Sequence, residues 1–137
     1  MNNKFTKKEK LCSKVKIKKL LEKGTALWQY PFNLLYNEAR LDTPAQMLII
    51  VPKRNIKKAT QRNRIKRLVR EVYRLNKDFF YQFCIDKNKQ FELSLLYVAK
   101  KELSFIEIEK SIIPLLQKII SNEHNKNSTS NDINIDN

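Results

Sequence analysis

The sequence predicts an α/β sandwich, an α+β fold in which helices pack against one small sheet. Three observations carry that prediction. Residues 53–77 are strongly basic yet space their apolar residues as an amphipathic helix does. Residues 46–51 (QMLIIV) and 91–99 (FELSLLYVA) flank that helix with the composition of strands. Helix-start signals stand near both ends, Thr6 with Glu9 and Ser104 with Glu107. With 137 residues, 42% of them hydrophobic, the chain has material for one domain with its own core.

In order, residues 1–6 read as loose. Residues 7–23 have helical periodicity, with Leu11, Val15, Ile17, Leu20 and Leu21 on one side among lysines. Thr6 is the expected N-cap, Glu9 completes its capping box, and Gly24 is the C-terminal stop. As the only glycine in the chain, Gly24 is expected to meet a real backbone need. Residues 25–36 (TALWQYPFNLLY) read as two short strands, or one bent strand, with Pro31 at an edge or bulge. Residues 37–44 read as a turn. The unbroken apolar run at 46–51, closed by Pro52, suits a central strand buried on both faces. After a basic loop, the basic helix begins near Ala59 or Thr60 and runs to about Phe80. Residues 81–90 read as a connection, 91–99 as a strand and 104–120 as a last helix, in which Pro114 predicts a kink or a break. From Ser121 the chain is polar and low in complexity, which predicts a domain over residues 1–120 and a disordered tail over 121–137.

The basic helix has two faces. Ile65, Leu68, Val69, Val72 and Leu75 fall within an arc of about 120°, built to pack. Arg62, Asn63, Lys66, Arg67, Arg70, Arg74 and Lys77 fall within roughly 140° on another side. Residues 53–77 hold eleven of the chain's 28 Lys and Arg and one acid, Glu71. Like charges at i,i+4, such as Arg62, Lys66, Arg70 and Arg74, weaken an isolated helix, so folding gives no reason to stack them. A polyanion along the face does, because each neutralised phosphate releases counterions. Arginine outnumbers lysine at the centre of the patch, which suits bidentate phosphate contact. The net charge of +14 is uneven: residues 1–23 carry nine lysines against Glu9 and Glu22, forming a second positive segment.

Other chemistry finds little support. The single histidine, His124, stands in the polar tail, so a histidine-based triad has no member in the core. Glu107 and Glu109 are two apart and point away from each other on a helix. Cys12 and Cys84 are isolated, with no metal-ligand spacing, and read as reduced thiols. One glycine cannot build a phosphate-cradling loop. No apolar run approaches the 18 or so residues a membrane span needs, and the N-terminus lacks the apolar stretch of a signal peptide, so a cytoplasmic protein is expected. These readings predict no catalytic and no metal-ligating residue.

Arg62-Asn63-Arg64-Ile65-Lys66-Arg67-Leu68-Val69-Arg70 resembles the protein component of bacterial ribonuclease P, a family with an R-N-x-x-K-R-x-x-R signature on its central helix. Ala59 stands upstream as the family's alanine often does, and Leu11, Gly24, Phe32, the IIVPKR stretch and residues 93–99 agree as well. The resemblance spans roughly residues 5–120. It implies an α-β-β-β-α-β-α fold like a domain of ribosomal protein S5, with a four-stranded sheet. It implies an accessory subunit of an endoribonuclease whose partner is the large catalytic RNA. That RNA, with Mg²⁺ held mainly by itself, removes the 5′ leader from precursor tRNA. Carried over, Arg62, Asn63, Arg64, Lys66, Arg67 and Arg70 face RNA, and Lys53, Arg54 and Arg74 extend that surface. The resemblance also implies a leader cleft between the first helix and the sheet, to which Ile17, Leu21, Phe32 and Tyr36 are assigned. Ile17 and Leu21 stand where family members often carry aromatics.

Two further readings compete: a ribosomal or general RNA-binding protein without a role in cleavage, and a DNA-binding regulator. The strand and Pro52 before the basic helix leave no room for the short helix and turn of a helix-turn-helix reader. On the RNA readings, Arg62→Ala and Arg67→Ala are expected to weaken RNA binding and leave the stability of the fold nearly unchanged.

Overall fold

A computed structural model describes residues 5–136, with side chains described as far as Lys126. A 3-10 turn (Lys7–Glu9) is followed by α1 (Lys14–Lys23), β1 (Thr25–Gln29), β2 (Phe32–Ala39), β3 (Ala45–Ile50), α2 (Ala59–Asn76), α3 (Asp78–Lys87), β4 (Gln90–Tyr97) and α4 (Phe105–Asp136). The four strands form one mixed sheet in the order β1-β2-β4-β3, with β3 parallel to β4 and the other pairs antiparallel. The expected α+β class and the expected strand number are found. The sequence order gains one helix, α3.

The period of two in the strands sorts the sheet into two faces. Phe32, Leu34 and Tyr36 of β2, Ala45, Met47 and Ile49 of β3, and Phe91, Leu93, Leu95 and Tyr97 of β4 are buried together with Ile65, Val69, Val72, Phe80, Ile112 and Leu116 from α2, α3 and α4. The opposite face carries Asn33, Leu35, Glu92, Ser94 and Gln46, in register across the strands. α1 crosses that face and buries Leu20 completely.

Several expectations are corrected. The first helix begins at Lys14, not Lys7, capped by the Ser13 hydroxyl accepting from the Lys16 amide at 3.4 Å. The Thr6–Glu9 capping box forms, but it closes only the 3-10 turn, after which the chain runs extended along the outer edge of β3. There Lys10 bridges Met47, and the Leu11 amide donates to the Met47 carbonyl at 3.1 Å. That segment explains why residues 46–51 mislead: β3 is an edge strand, not a central one, and the N-terminal segment covers its outer edge. β4 is the central strand. Of the expected loose residues 1–6, residues 1–4 lie outside the described ones, while Phe5 packs edge-on against Tyr73 with ring centroids 6.0 Å apart.

Gly24 ends α1, but with φ −67° and ψ 152°, a conformation open to any residue. Its need is space: a Cβ there would stand 2.5 Å from the Leu20 carbonyl oxygen and 3.3 Å from Leu35 Cβ. Tyr30 and Pro31, joined by a cis peptide bond, connect β1 to β2, so the two-strand reading of residues 25–36 holds and β2 continues to Ala39. The basic helix stops at Asn76 instead of Phe80, and the expected connection over 81–90 is mostly α3. α3 was obscured because its apolar residues surround the helix: Phe80, Tyr81 and Cys84 are buried while Phe79 and Ile85 are exposed. Asn88, at φ 52°, takes the left-handed conformation that closes α3.

α4 starts on the expected capping box, with Ser104 and Glu107 exchanging bonds of 3.2 Å. It runs through Pro114 without a break. The carbonyl that Pro114 cannot serve belongs to Lys110, which is exposed, so water can satisfy it. The helix also continues past residue 120, where a tail was expected. Glu123 is buried beside Lys89 at 3.2 Å, Asn122 donates to the Tyr36 hydroxyl at 3.2 Å, and His124 packs against Phe83. The side chains beyond Lys126 lie outside the described residues.

Candidate nucleic-acid interface

α2 presents the predicted amphipathic division. Ile65, Val69, Val72 and Tyr73 are buried against the sheet and α4, and Asn63, Arg64 and Arg67 are exposed, with Lys66 and Arg70 half-buried on the outer side. Leu75, expected to pack, lies at the margin of the apolar arc and is 48% exposed. Lys53 and Arg54 are exposed in the turn after β3, which Asn55 anchors by donating to the Tyr97 carbonyl at 3.2 Å. Among the described residues, Lys53, Arg54, Lys66, Arg67 and Arg70 make no ion pair. They form a continuous positive surface from the β3–α2 turn along α2.

Four expected members of this surface differ from the simple picture. Arg62 turns back onto its own loop, donating from Nη1 to the carbonyls of Ile56 at 2.9 Å and Lys57 at 2.8 Å. It therefore shapes the surface as well as charging it. Arg64 lies on the other margin of α2 and makes a two-point ion pair with Glu102 at 3.0 and 3.1 Å. Arg74 pairs with Glu71. Lys77 is not on the surface at all: it is 2% exposed, with its Nζ 2.6 Å from Glu9 Oε2. Lys77 still has helical backbone angles, φ −78° and ψ −17°, and it is the N-terminal turn carrying Glu9 that covers this position.

Glu9 is the hub of a buried polar group. Its Oε1 accepts from the Thr6 amide, and its Oε2 accepts from Lys77 and from the Tyr81 hydroxyl, which in turn accepts from Tyr73 at 3.1 Å. Burial by itself raises the Glu9 pKa, but the bonds from Lys77 and Tyr81 outweigh it and hold the carboxyl below its usual 4.5. Burial drives the Tyr73 hydroxyl far above its usual range and pushes the Cys84 thiol up to about 12, so neither ionises at neutral pH. Glu107 and Glu109, weighed as paired carboxylates, are structural: one caps α4 and the other accepts from Asn76 at 3.0 Å. Among the described residues no group of three or more His, Cys, Asp or Glu could hold a metal ion.

The face beneath α1 holds half of the residues assigned to the cleft. Ile17 is half-buried and Leu21 is exposed there. Phe32 and Tyr36 are not: both point into the core, where they meet Tyr97 and Phe91 edge-on. Counting by twos along β2 gives Asn33, Leu35 and Asn37 to the α1 side instead. The aromatic side chain on that face is Trp28 of β1, directly opposite Asn33 and 56% exposed. Sequence reasoning missed it for want of the strand register.

The fold and this surface together define an RNA-binding protein of the α+β class. The sequence model of the Ribonuclease P family matches residues 5–120. The ribonuclease P protein component of Petrotoga mobilis is 34% identical over 118 residues, covering 84% of this chain and 94% of the relative. That of Porphyromonas gingivalis is 30% identical over 121 residues, covering 86% and 88%. Among solved structures, the ribonuclease P protein of Thermotoga maritima superposes with a TM-score of 0.66 at 24% identity, over 80% of this chain and 96% of that one. The Staphylococcus aureus protein gives 0.64 at 18% identity, over 82% and 94%. These two likenesses show the shared fold. The chain belongs to the ribonuclease P protein component family, with the family's role in tRNA 5′-end processing as an accessory subunit of an endoribonuclease and with ribonuclease P RNA as its partner.

Proposed function

We propose that the chain binds both ribonuclease P RNA and precursor tRNA, and that it lowers the repulsion between them while the RNA removes the 5′ leader. The observation that carries this reading is the positive surface of Lys53, Arg54, Lys66, Arg67 and Arg70, none of which makes an ion pair among the described residues. Asn63, Arg62, Arg64 and Arg74 border it. A face of that kind fixes RNA through phosphates and carries little sequence discrimination. The leader lies on the α1 side of the sheet, against Ile17, Leu21, Leu35 and Trp28, where one indole supplies stacking worth about 1–3 kcal/mol per base. No described helix is long and apolar enough to cross a membrane, and the setting of the reaction is the cytoplasm.

The Mg²⁺ of the reaction is held by RNA. The described protein residues fit no metal cage of their own. The protein's basic groups act on the two RNAs, screening their phosphates where they approach each other.

The test is precursor-tRNA cleavage by the cognate ribonuclease P RNA at low Mg²⁺, with and without the protein. Restored removal of the leader supports the reading. RNA binding with unchanged cleavage would sink it and leave a general RNA-binding protein of the same fold.

A further inference from the structure

The lysine-rich N-terminal segment takes no part in the α2 surface. Beside the outer edge of β3, on the side of the sheet that α1 crosses, three parts of the chain converge. Running along β3, the 3-10 turn brings in Lys8, and Gln46 of β3 fixes this turn by donating from Nε2 to the Lys8 carbonyl at 3.1 Å. The first turn of α1 brings in Lys16. The residue after β2 is Arg40. These three side chains border one concavity of about 180 Å³ with Gln46, Asp42 and Thr43.

We propose that this concavity is a phosphate-binding site that grips the backbone of an RNA strand on the sheet face opposite α2. Its size is below that of pockets for drug-sized organic ligands, which begin near about 300 Å³, and it is lined mainly by polar groups. Three cations converge there. Among the described residues none of them makes an ion pair, and Asp42 bridges to none of them. Three cations against the single carboxylate of Asp42, with no ion pair formed, disfavour the free protein and favour a bound anion. The positive end of α1, ten residues long, adds to the same potential. The cradle is held in place from both sides: the Thr43 hydroxyl donates to the Ala45 carbonyl at 3.0 Å, and the Phe91 amide to the Pro44 carbonyl at 3.0 Å. Two carboxylates oppose an anion. Asp42 lies on the rim, whereas Glu92, the cross-strand neighbour of Gln46, lies beneath α1 and does not line the concavity.

That the phosphate belongs to RNA rests on the function proposed above. The site itself does not, so the experiment has two arms. In the first, inorganic phosphate is titrated into the full-length protein at constant ionic strength and followed by amide and arginine side-chain NMR. Saturable shifts at Arg40, Thr43 and Gln46 are expected, lost in the Lys16→Ala/Arg40→Ala double variant and strengthened in Asp42→Asn. Shifts spread over all the lysines without saturation would overturn the site. In the second, the salt dependence of ribonuclease P RNA and precursor-tRNA binding is compared between wild type and the double variant. The slope for one of the two RNAs should fall by about two, one per cation removed. An unchanged slope for both, with phosphate still bound, would overturn the assignment to RNA. Failure of the wild-type protein to stimulate cleavage would instead strike the proposed function and leave the phosphate arm standing.

Discussion

Lys77 Nζ lies 2.6 Å from Glu9 Oε2, and both side chains are almost fully buried, joining the N-terminal turn to the break between α2 and α3 across 68 positions of sequence. Neither charge can be left alone in that setting. Lys77→Ala or Glu9→Ala should each cost about 3–5 kcal/mol, because the survivor is stranded without its partner. The double replacement Glu9→Leu/Lys77→Met should recover most of that loss. Denaturant midpoints of the three variants check it; single variants within about 0.5 kcal/mol of wild type would mean that water reaches the pair.

The same carboxylate sets a pH dependence. Glu9 has a lower pKa folded than unfolded, so the unfolded chain binds more protons as acid is added. Its contribution is present above the usual carboxylate value of 4.5 and is lost as pH falls through it toward the lower folded value. Stability should therefore decline below pH about 4.5, and Glu9→Gln, already less stable at neutral pH, should decline less steeply. Unfolding midpoints from pH 7 down to about 3 read out both slopes.

Arg62 and Arg67, alike in the sequence, should separate in experiment. Arg67→Ala removes an exposed cation without an ion pair, so the salt slope of RNA binding falls by about one while stability stays within about 0.5 kcal/mol. Arg62→Ala also releases the carbonyls of Ile56 and Lys57, and should cost on the order of 1 kcal/mol of stability besides weakening binding. Paired unfolding and binding curves distinguish the two.

Glu102 restrains Arg64 from a distance of 38 residues. Glu102→Gln should leave the fold intact, since an exposed pair contributes at most about 1 kcal/mol, and free Arg64 for phosphate. RNA binding should tighten and its salt slope should steepen by up to about one. Weaker binding in this variant would show that Glu102 holds Arg64 in its working position.

The sequence made the amphipathic helix, the capping box at Ser104 and most strands legible, because these rest on local spacing. What it hid rests on partners distant in the chain. Lys77 reads as a surface charge until Glu9 is brought to it. QMLIIV reads as a central strand because the N-terminal segment covers its outer edge and α2 packs on one of its faces. Phe32 and Tyr36 read as cleft residues, and Leu35 and Trp28 do not, because a shift of one residue exchanges the two faces of a strand and the sequence alone does not fix the register. α3 shows no period because both its sides are apolar. The helix of residues 121–126 looks unstructured in a polar sequence until its contacts with Tyr36, Phe83 and Lys89 are seen.

The place of β4 sets a timetable for synthesis. β2 and β3 do not pair with each other; each pairs with β4, which follows both of them in the chain. Until residue 97 has emerged, the β1–β2 hairpin, which is marginal alone, is the one strand pairing of the sheet open to the nascent chain, and the apolar stripe of α2 has no complete sheet to cover it. The basic surface is translated well before the scaffold that makes it rigid. For that interval RNA meets a charged but unfinished partner, and the arrival of β4 decides when it becomes a subunit.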